Sequence, residues 1–273
     1  MAYKYLTTVA LLLISVLFPT QTVLAGNISS GDSGLLWLVN WSNMLTSSYV
    51  PPNLCEYQGI RLQSVARDAF VQMLKSMEED GIYGLRLQSA YRSYSYQQAV
   101  FNQREKELKA KGHSKSEAEN MASKSIQPPG ASEHQLGLSL DVSIDGKLTQ
   151  AFGETKAGKW LEEHSHKYGF VIRYPSSKTE ITQIIYEPWH LRYVGTPHST
   201  IMKNLVLTLE EYLSYIKQIN MYIFWEENCD YYFLLYSNSL PEVLPPGTID
   251  ISAFTSGETE YIITTRKSYP TIW

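Results

Sequence analysis

The clearest pattern along the chain is an amphipathic repeat over residues 61–79. Eight apolar side chains recur there at steps of three and four residues, as they do along one face of an α-helix. They are Leu62, Val65, Ala66, Ala69, Phe70, Met73, Leu74 and Met77. The pattern predicts a helix over residues 61–79 that packs on a core and is ended by Gly81.

Four further helices are predicted, and turn and cap signals mark several of their ends. Ser114 and Glu117 have the spacing of a capping box, in which each side chain accepts a hydrogen bond from the other residue's backbone N–H. Gly112 and Gly169 stand where a helix would end, because glycine readily adopts the conformation that helix ends require. The predicted helices span residues 94–111, 114–124, 156–168 and 209–219.

Alternation of apolar and polar residues predicts a strand at residues 137–143. The apolar side chains at 138, 140 and 142 would point to one face of a sheet, and the polar ones, including Asp141, to the other. Further strands are predicted at residues 35–39, 85–91, 170–174 and 186–194.

The end of the chain has a different pattern. Short alternating runs at residues 231–236, 248–254 and 261–265 are separated by Pro-Pro-Gly and Ser-Gly turns, which predicts strands. The predicted fold class is therefore α+β. A small antiparallel sheet with flanking helices would occupy residues 26–207. Residues 208–273 would add a helix and a small β-rich appendage, whose role the sequence does not indicate.

The first 25 residues follow the three-part layout of an export signal. Lys4 supplies a positive charge, residues 6–18 are largely apolar, and residues 23–25 form a small-residue cleavage pattern. The alternative is an uncleaved membrane anchor over residues 6–25, although the apolar run is shorter than the ~20 residues that span a bilayer. Either interpretation places the rest of the chain outside the cytoplasm, secreted or associated with the cell envelope.

Composition narrows the choice of partners. A length of 273 residues suits one or two domains, and a hydrophobic fraction of 44% is ample for a buried core. The net charge of −4 gives no electrostatic case for nucleic acid as a partner. Export would permit a disulfide between Cys55 and Cys229, and two separate buried thiols are the alternative. We expect a monomer.

The first candidate for chemistry is the segment SEHQLGLSLDV, residues 132–142. Asp141 lies on the polar face of an otherwise apolar strand, where a carboxylate is costly to bury unless it pairs with a cation or binds a metal. His134 comes just before the strand, where a turn can bring it back beside Asp141. Taken singly, each has an ordinary explanation: an ion pair with an arginine for Asp141, and a structural hydrogen bond for His134.

The second candidate segment, YEPWHLRYVG at residues 186–195, adds Glu187 and His190. The intervening proline favours extended backbone, which could present both side chains toward one point. Imidazole and carboxylate are good zinc ligands, and a catalytic zinc usually has three protein ligands. The two segments together therefore predict a zinc site with His134, Asp141 and His190 as ligands and with Glu187 free to act as general base.

Three motifs together resemble the VanY-type D-alanyl-D-alanine carboxypeptidases. SAYRSYSYQQ (residues 89–98) and the two segments above occur in the family's order, and LVNWSN and YVPPNL look like its N-terminal stretch. These zinc enzymes belong to a wider group that includes VanX-like D,D-dipeptidases and L,D-carboxypeptidases. The resemblance covers residues 33–205 and leaves the tail out.

The resemblance implies a role for each matching residue. One zinc ion per chain would be bound by His134, Asp141 and His190, with Glu187 as the catalytic base. Arg92, in SAYRS, would face the substrate and stabilise the oxyanion. Three further residues would contact the substrate: Ser132 at its terminal carboxylate, Gln97 as a polar pocket residue and Trp189 as a pocket wall. Ser139 is a departure, because alanine is expected there.

The function that the resemblance implies is removal of the C-terminal D-alanine from peptidoglycan stem peptides that end in D-Ala-D-Ala. The chemistry agrees, because a peptide with a free carboxylate needs a cationic anchor, and an arginine presents paired planar donors. Three alternatives stay open: an L,D-carboxypeptidase acting on tetrapeptide stems, an endopeptidase that cleaves within the stem, and a catalytically inactive wall-binding protein.

Overall fold

Seven α-helices and twelve strands lie within the residues that the structure, a computed structural model, describes: 23–24, 34–225, 230–239, 243–244, 248–253 and 260–268. The helices are α1 Ser64–Glu79, α2 Tyr94–Ala110, α3 Lys115–Ser123, α4 Lys156–His164, α5 Thr179–Thr182, α6 His198–Leu205 and α7 Leu209–Ile219. The strands are β1 Val23–Leu24, β2 Leu54–Tyr57, β3 Ile60–Gln63, β4 Arg86–Ser89, β5 Ser139–Ser143, β6 Phe170–Tyr174, β7 Glu187–Tyr193, β8 Met221–Trp225, β9 Asp230–Ser237, β10 Val243–Leu244, β11 Thr248–Ala253 and β12 Tyr261–Ser268.

Four of these strands form the sheet that carries the candidate site. Its order is β4-β5-β7-β6, and every neighbouring pair is antiparallel. Asp141 in β5 lies opposite His190 in β7, and Glu187 at the start of β7 lies opposite Tyr174 in β6. The predicted α+β class with a small antiparallel sheet is confirmed.

The two faces of this sheet differ, as the alternation predicts. Leu140, Val142 and Leu191 belong to the main hydrophobic cluster, which also contains Phe70 of α1. The opposite face carries Asp141 and other polar side chains, and it too is buried. A buried polar face is stable only if its charges find partners or a metal, and the site described below supplies them.

The helix predicted over residues 61–79 begins later, at Ser64. Residues 60–63 instead form β3, which pairs antiparallel with β2 in a hairpin. The two residues between these strands, Gln58 and Gly59, have φ angles of 52° and 82°. Two successive positive φ angles make the type of turn that favours a tight hairpin. Leu62 is therefore buried from a strand and not from the helix.

The strand predicted at residues 35–39 is wrong, because this stretch is irregular. Its backbone carbonyls are not satisfied by a neighbouring strand. Nη2 of Arg192 lies 2.9, 3.0 and 3.2 Å from the carbonyl oxygens of Gly34, Leu35 and Trp37. The buried Arg192 guanidinium thus supplies hydrogen-bond donors to these carbonyls, which a neighbouring strand would otherwise supply.

The other elements lie close to their predicted bounds. The helix predicted over residues 156–168 is α-helical only as far as His164, and a 3-10 turn, Ser165–Tyr168, completes it before Gly169. All three predicted tail strands are present. Strand β8 has no counterpart among the predictions, since its sequence MYIFW is apolar or aromatic throughout and does not alternate.

The C-terminal region packs directly on the rest of the protein. Strands β8, β9, β11 and β12 form a second four-stranded sheet, and α7 contacts β8 and β9. Tyr212 and Ile216 of α7 share a buried cluster with Leu36 and with Ile201 of α6. Residues on both sides of the predicted division at 207/208 therefore contribute to one core.

Two expectations fall largely outside the described residues. Of the predicted export signal, only Val23 and Leu24 are described, paired antiparallel with β10. Cys229 is not among the described residues, so its pairing with the half-buried Cys55 stays a prediction. In the part of the chain that the structure describes, no helix has the length and apolar character needed to cross a bilayer.

Because the C-terminal region and the rest of the protein share one core, we expect a substitution in that core to destabilise the whole chain. Ile216→Ala should lower the free energy of unfolding by about 2–5 kcal/mol, because it removes a fully buried side chain from a cluster that includes Leu36 and Ile201. Urea unfolding should still show one transition for the whole chain. The exposed Gln218→Ala in the same helix is the control and should change little. A separate early transition, with the main one unchanged, would mean that the C-terminal region folds independently.

Candidate metal centre

The turn that carries His134 is held in place by backbone hydrogen bonds. Residues Glu133–Leu136 form a 3-10 turn that ends at Gly137, whose φ is 70°. The backbone N–H of Arg92 donates to the carbonyl of His134 at 3.1 Å, and that of Gln63 donates to the carbonyl of Gly137 at 2.9 Å. The turn therefore returns His134 to the start of β5, beside Asp141.

Three buried side chains converge next to this turn. Nδ1 of His134 lies 2.6 Å from the carbonyl oxygen of Ala90, which can only accept, so Nδ1 carries the proton and Nε2 is available as a ligand. That Nε2 lies 3.2 Å from one carboxylate oxygen of Asp141, and Nδ1 of His190 lies 3.2 Å from the other. One ligand atom from each of the three residues lies within 4.8 Å of the other two.

The carboxylate of Asp141 makes a metal the better explanation of this cluster. Its Oδ1 is buried and has no hydrogen-bond partner among the described atoms, although Nδ1 of His190 is close. Imidazole nitrogens thus lie 3.2 Å from each of the two oxygens of one buried carboxylate, an arrangement that suits ligands of a shared ion. Two imidazole nitrogens and a carboxylate are also a common donor set for zinc.

Glu187 stands beside this triangle without belonging to it. Its Oε2 lies 3.5 Å from Nδ1 of His190. Burial raises the pKa of Glu187 well above its usual range, the Asp141 carboxylate raises it further, and Arg92 opposes both effects. A raised pKa makes the Glu187 carboxylate a stronger proton acceptor, which suits a general base.

Burial and neighbouring charges keep His134 and Asp141 in the protonation states in which they could bind a metal. Burial, and to a lesser extent Arg92, lowers the pKa of His134 to about 4, so its imidazole is neutral at neutral pH. Burial alone would raise the pKa of Asp141, but the neighbouring imidazoles and Arg92 hold it well below its usual range. A neutral imidazole and an ionised carboxylate are the states that bind a metal.

Arg92 reaches into the centre from the end of β4. Its Nη2 lies 2.5 Å from Oδ2 of Asp141, and its Nε donates to Oγ of Ser89 at 2.9 Å. The ion pair that the sequence offers as the simple explanation for Asp141 therefore exists as well. The ion pair does not account for the two histidines beside Asp141, which a metal would explain. The side-chain amide of Gln97 lies next to Arg92 and donates to the carbonyl of Gln127 at 2.6 Å.

All eight predicted site residues border one cavity of about 490 Å³. They are Arg92, Gln97, Ser132, His134, Asp141, Glu187, Trp189 and His190. The cavity continues past the centre along apolar side chains that the sequence analysis did not single out. These are Val100, Ile126, Leu148, Ile184 and Ile185. Arg104, Glu107, Ser125 and Gln127 also border it, so the cavity away from the centre has both apolar and polar walls.

Two further residues of the site were also missed. Tyr174 lines the cavity, and its ring centroid is 4.9 Å from that of His190. Glu133, next to His134, is completely buried, and its Oε1 lies 2.8 Å from Nε of Arg173 and 3.1 Å from Nη1 of Arg192. Burial alone would raise the Glu133 pKa, but the two guanidinium groups lower it to about 2. The only sequence signal was a carboxylate adjacent to a candidate ligand.

Ser139, which stands where alanine is expected, also contacts Glu133. Its hydroxyl donates to Oε2 of the Glu133 carboxylate at 3.4 Å. The residue is fully buried on the polar face of β5. The departure therefore adds a donor to a buried anion and leaves the metal ligands unchanged.

A buried His-Asp-His triangle with an adjacent glutamate, on a small antiparallel sheet, defines the candidate site of a metallohydrolase. The family model "VanY: D-alanyl-D-alanine carboxypeptidase" matches residues 59–196. The chain belongs to this VanY family, and the predicted family assignment is confirmed.

A similar curated protein and two similar solved structures agree with this family assignment. A D-alanyl-D-alanine carboxypeptidase of Enterococcus faecalis is 35% identical over 198 residues, which cover 72% of each chain. The structure of VanYB in complex with D-alanine-D-alanine is 37% identical, with a TM-score of 0.59 over 66% of this chain and 97% of that one. A zinc complex of a VanY D,D-pentapeptidase mutant matches at 37% identity and a TM-score of 0.59, over 65% of this chain and 98% of that one.

A solved structure of an enzyme named for a different specificity is about as similar to this chain as the VanY structures are. The LD-carboxypeptidase LdcB is 37% identical, with a TM-score of 0.60 over 68% of this chain and 88% of that one. The relatives named here thus include both a D-alanyl-D-alanine carboxypeptidase and an LD-carboxypeptidase.

The close packing around the turn at Gly137 can be tested through its effect on stability. A Cβ on Gly137 would lie 3.1 Å from Leu54 and 3.3 Å from the backbone nitrogen of Gln63, whereas one on Gly146 would meet nothing within 4 Å. Both glycines have positive φ, so alanine should cost each site about 1–2 kcal/mol of stability. Gly137→Ala should cost about 1–3 kcal/mol more because of the contact. Equal losses in urea unfolding would contradict this account.

Proposed function

We propose that this protein is an exported zinc carboxypeptidase that removes the C-terminal D-alanine from peptidoglycan stem peptides ending in D-Ala-D-Ala. The observation that carries the proposal is the convergence of His134, Asp141 and His190 on one point, with Glu187 beside them. Family membership and the zinc complex of a VanY relative support it. Export rests on the layout of residues 1–25.

The proposed ligands would hold one zinc ion through Nε2 of His134, a carboxylate oxygen of Asp141 and Nδ1 of His190. Bound there, zinc would supply Lewis-acid chemistry: it lowers the pKa of a water molecule and polarises a carbonyl oxygen. The hydrogen bond from His134 to the Ala90 carbonyl fixes the tautomer and the direction of the ring.

Glu187 is the proposed general base. It takes a proton from the attacking water and then gives that proton to the amine of the departing D-alanine. Its buried carboxyl group, with a raised pKa, suits both steps. Arg92 carries the positive charge that would stabilise the oxyanion, and its partners Ser89 and Gln97 keep the guanidinium directed into the cavity.

The remaining cavity residues would hold the substrate. Ser132 would contact the terminal carboxylate, Gln97 would contribute polar contacts and Trp189 would wall the pocket. The apolar extension past Ile184 and Ile185 leaves room for the stem on the other side of the scissile bond. The proposed partner is thus a stem peptide or its precursor. The protein would act as a monomer, bound to a membrane only if its signal were retained.

A second candidate is an L,D-carboxypeptidase acting on tetrapeptide stems, because LdcB is as similar to this chain as the VanY structures are. The metal centre would be the same in both cases. The endopeptidase alternative also remains, whereas a wall-binding protein without activity is less well supported. Loss of catalysis usually removes a ligand or the base, and here the set of four is complete.

Specificity can be decided by product mass. We expect the mature protein to shorten a pentapeptide stem by one D-alanine and to leave a tetrapeptide stem intact. The two stems should be incubated in parallel with the same enzyme and the products weighed by mass spectrometry. Cleavage of the tetrapeptide alone would establish the L,D-carboxypeptidase, and a cut within the stem would establish the endopeptidase.

The type of catalysis can be decided with inhibitors. A metal chelator should abolish release of D-alanine, and added zinc should restore it. β-Lactams should inhibit poorly, because the mechanism forms no serine acyl-enzyme. Inactivation by penicillin together with resistance to chelator would disprove the metal mechanism.

The division between ligands and base can be tested with two variants. Glu187→Gln should retain zinc and lower kcat by about 10²–10⁴-fold, because it removes only the proton-transfer group. His190→Ala should lose zinc together with activity. Metal analysis after gel filtration distinguishes the two. A metal-free Glu187→Gln protein would mean that Glu187 is a ligand.

A further inference from the structure

Four charged side chains form a buried chain behind the metal centre. Nε of Arg173 and Nη1 of Arg192 both contact the Glu133 carboxylate, at 2.8 and 3.1 Å. The two terminal nitrogens of Arg173 then bind Glu210 in bidentate fashion, at 2.9 and 2.7 Å. The side chains of Glu133, Arg173 and Arg192 are at most 1% exposed, and that of Glu210 is 18% exposed.

The charges of this chain balance only when Glu210 is counted. Glu133 carries one negative charge against two guanidinium groups, so these three residues alone leave one positive charge in the interior. An unpaired buried charge is strongly unfavourable, and removing one partner of a buried pair is more damaging than the pair is stabilising. Glu210 lies in the first turn of α7, outside residues 59–196 that match the family model.

The chain of charges ends at the metal centre itself. Glu133 stands between Ser132, which borders the cavity, and His134. Its side chain is anchored to arginines on β6 and β7, and β7 also carries His190. The guanidinium of Arg173 lies 5.0 Å from the ring of Tyr174, which in turn packs on His190. Movement of Arg173 would therefore disturb two ligands at once.

We infer that Glu210 is a positioning residue for the metal centre: by completing the ion chain Glu133–Arg173–Glu210, it holds the turn that presents His134. Without this carboxylate, both terminal nitrogens of Arg173 lose their partner and the buried chain keeps one uncompensated positive charge, which favours a shift of Arg173 toward water and strains its contact with Glu133. The C-terminal region then has a role in the chemistry, although none of its described residues borders the cavity. The inference rests on the proposed zinc site.

The neighbouring residue in α7 provides a matched control. Oε1 of Glu211 forms an ion pair with Lys178 at 2.8 Å, and its Oε2 accepts from the backbone N–H of Thr208 in a capping box. Glu211 thus helps to dock the same helix turn, with similar exposure, but it does not contact the buried chain. Loss of docking alone should affect the two positions alike.

The experiment measures zinc affinity of the full chain by competition with a chromogenic chelator. Glu210→Gln should raise the zinc dissociation constant by about 10-fold, the lower end of the effects seen when residues supporting a ligand are changed. Glu211→Gln should stay within about 2-fold of the wild type, even if both variants melt earlier. Glu210→Asp, which keeps the charge but is shorter, should fall between wild type and Glu210→Gln.

Several results would overturn the inference. These are an unchanged dissociation constant for Glu210→Gln, or equal changes for Glu210→Gln and Glu211→Gln. If Glu210→Gln does not fold, Glu210→Asp and Glu211→Asp decide the question. A weaker affinity for the first alone supports the inference, and equal affinities refute it. A wild-type chain that binds no zinc would instead refute the proposed function, and this inference with it.

Discussion

The register between two central strands is the constraint on which the site depends. Asp141 and His190 meet because β5 and β7 pair with those residues directly opposite. Side chains alternate between the faces of a strand, so a slip of one residue would turn Asp141 into the apolar core and expose Leu140 to the cavity. The apolar face, with Leu140 opposite Leu191, penalises such a slip. Burial of leucines therefore sets the position of a proposed metal ligand.

The remaining members of the centre are fixed relative to this pair. Glu187 precedes His190 on the same strand, and the left-handed turn at Gly137 returns His134 to the start of β5. Arg92 comes from the end of β4, the strand on the other side of β5. The centre thus draws on adjacent strands of one sheet, which makes it stiff. The rest of the cavity wall comes from loops, from α2 and from Tyr174 and Trp189 of the same sheet.

Local pattern led to the proposed ligands but not to what supports them. Alternation at residues 138–142 predicted the polar face of the sheet, and the motifs around His134 and His190 predicted the metal site. Arg92, Gln97, Ser132 and Trp189 were predicted through the family resemblance, and they too border the cavity. The strand predicted at residues 35–39 was wrong because its carbonyls are satisfied by Arg192, far away in the chain. Glu133 was missed for the same reason: nothing near it in sequence shows that two distant arginines would surround it. Effects that depend on contacts between distant segments cannot be read from periodicity.

Arg192 has a consequence for where this protein can be divided. Its guanidinium joins Glu133 to the carbonyls of Gly34, Leu35 and Trp37, all of which precede the segment that matches the family model. Glu210, which balances Arg173, follows that segment. A fragment cut at residues 59 and 196 would keep every proposed metal ligand and also Glu133, but it would lose Glu210 as a partner of Arg173 and the three carbonyls as partners of Arg192. The segment that matches the family model is therefore shorter than the segment that supplies the partners of its buried charges.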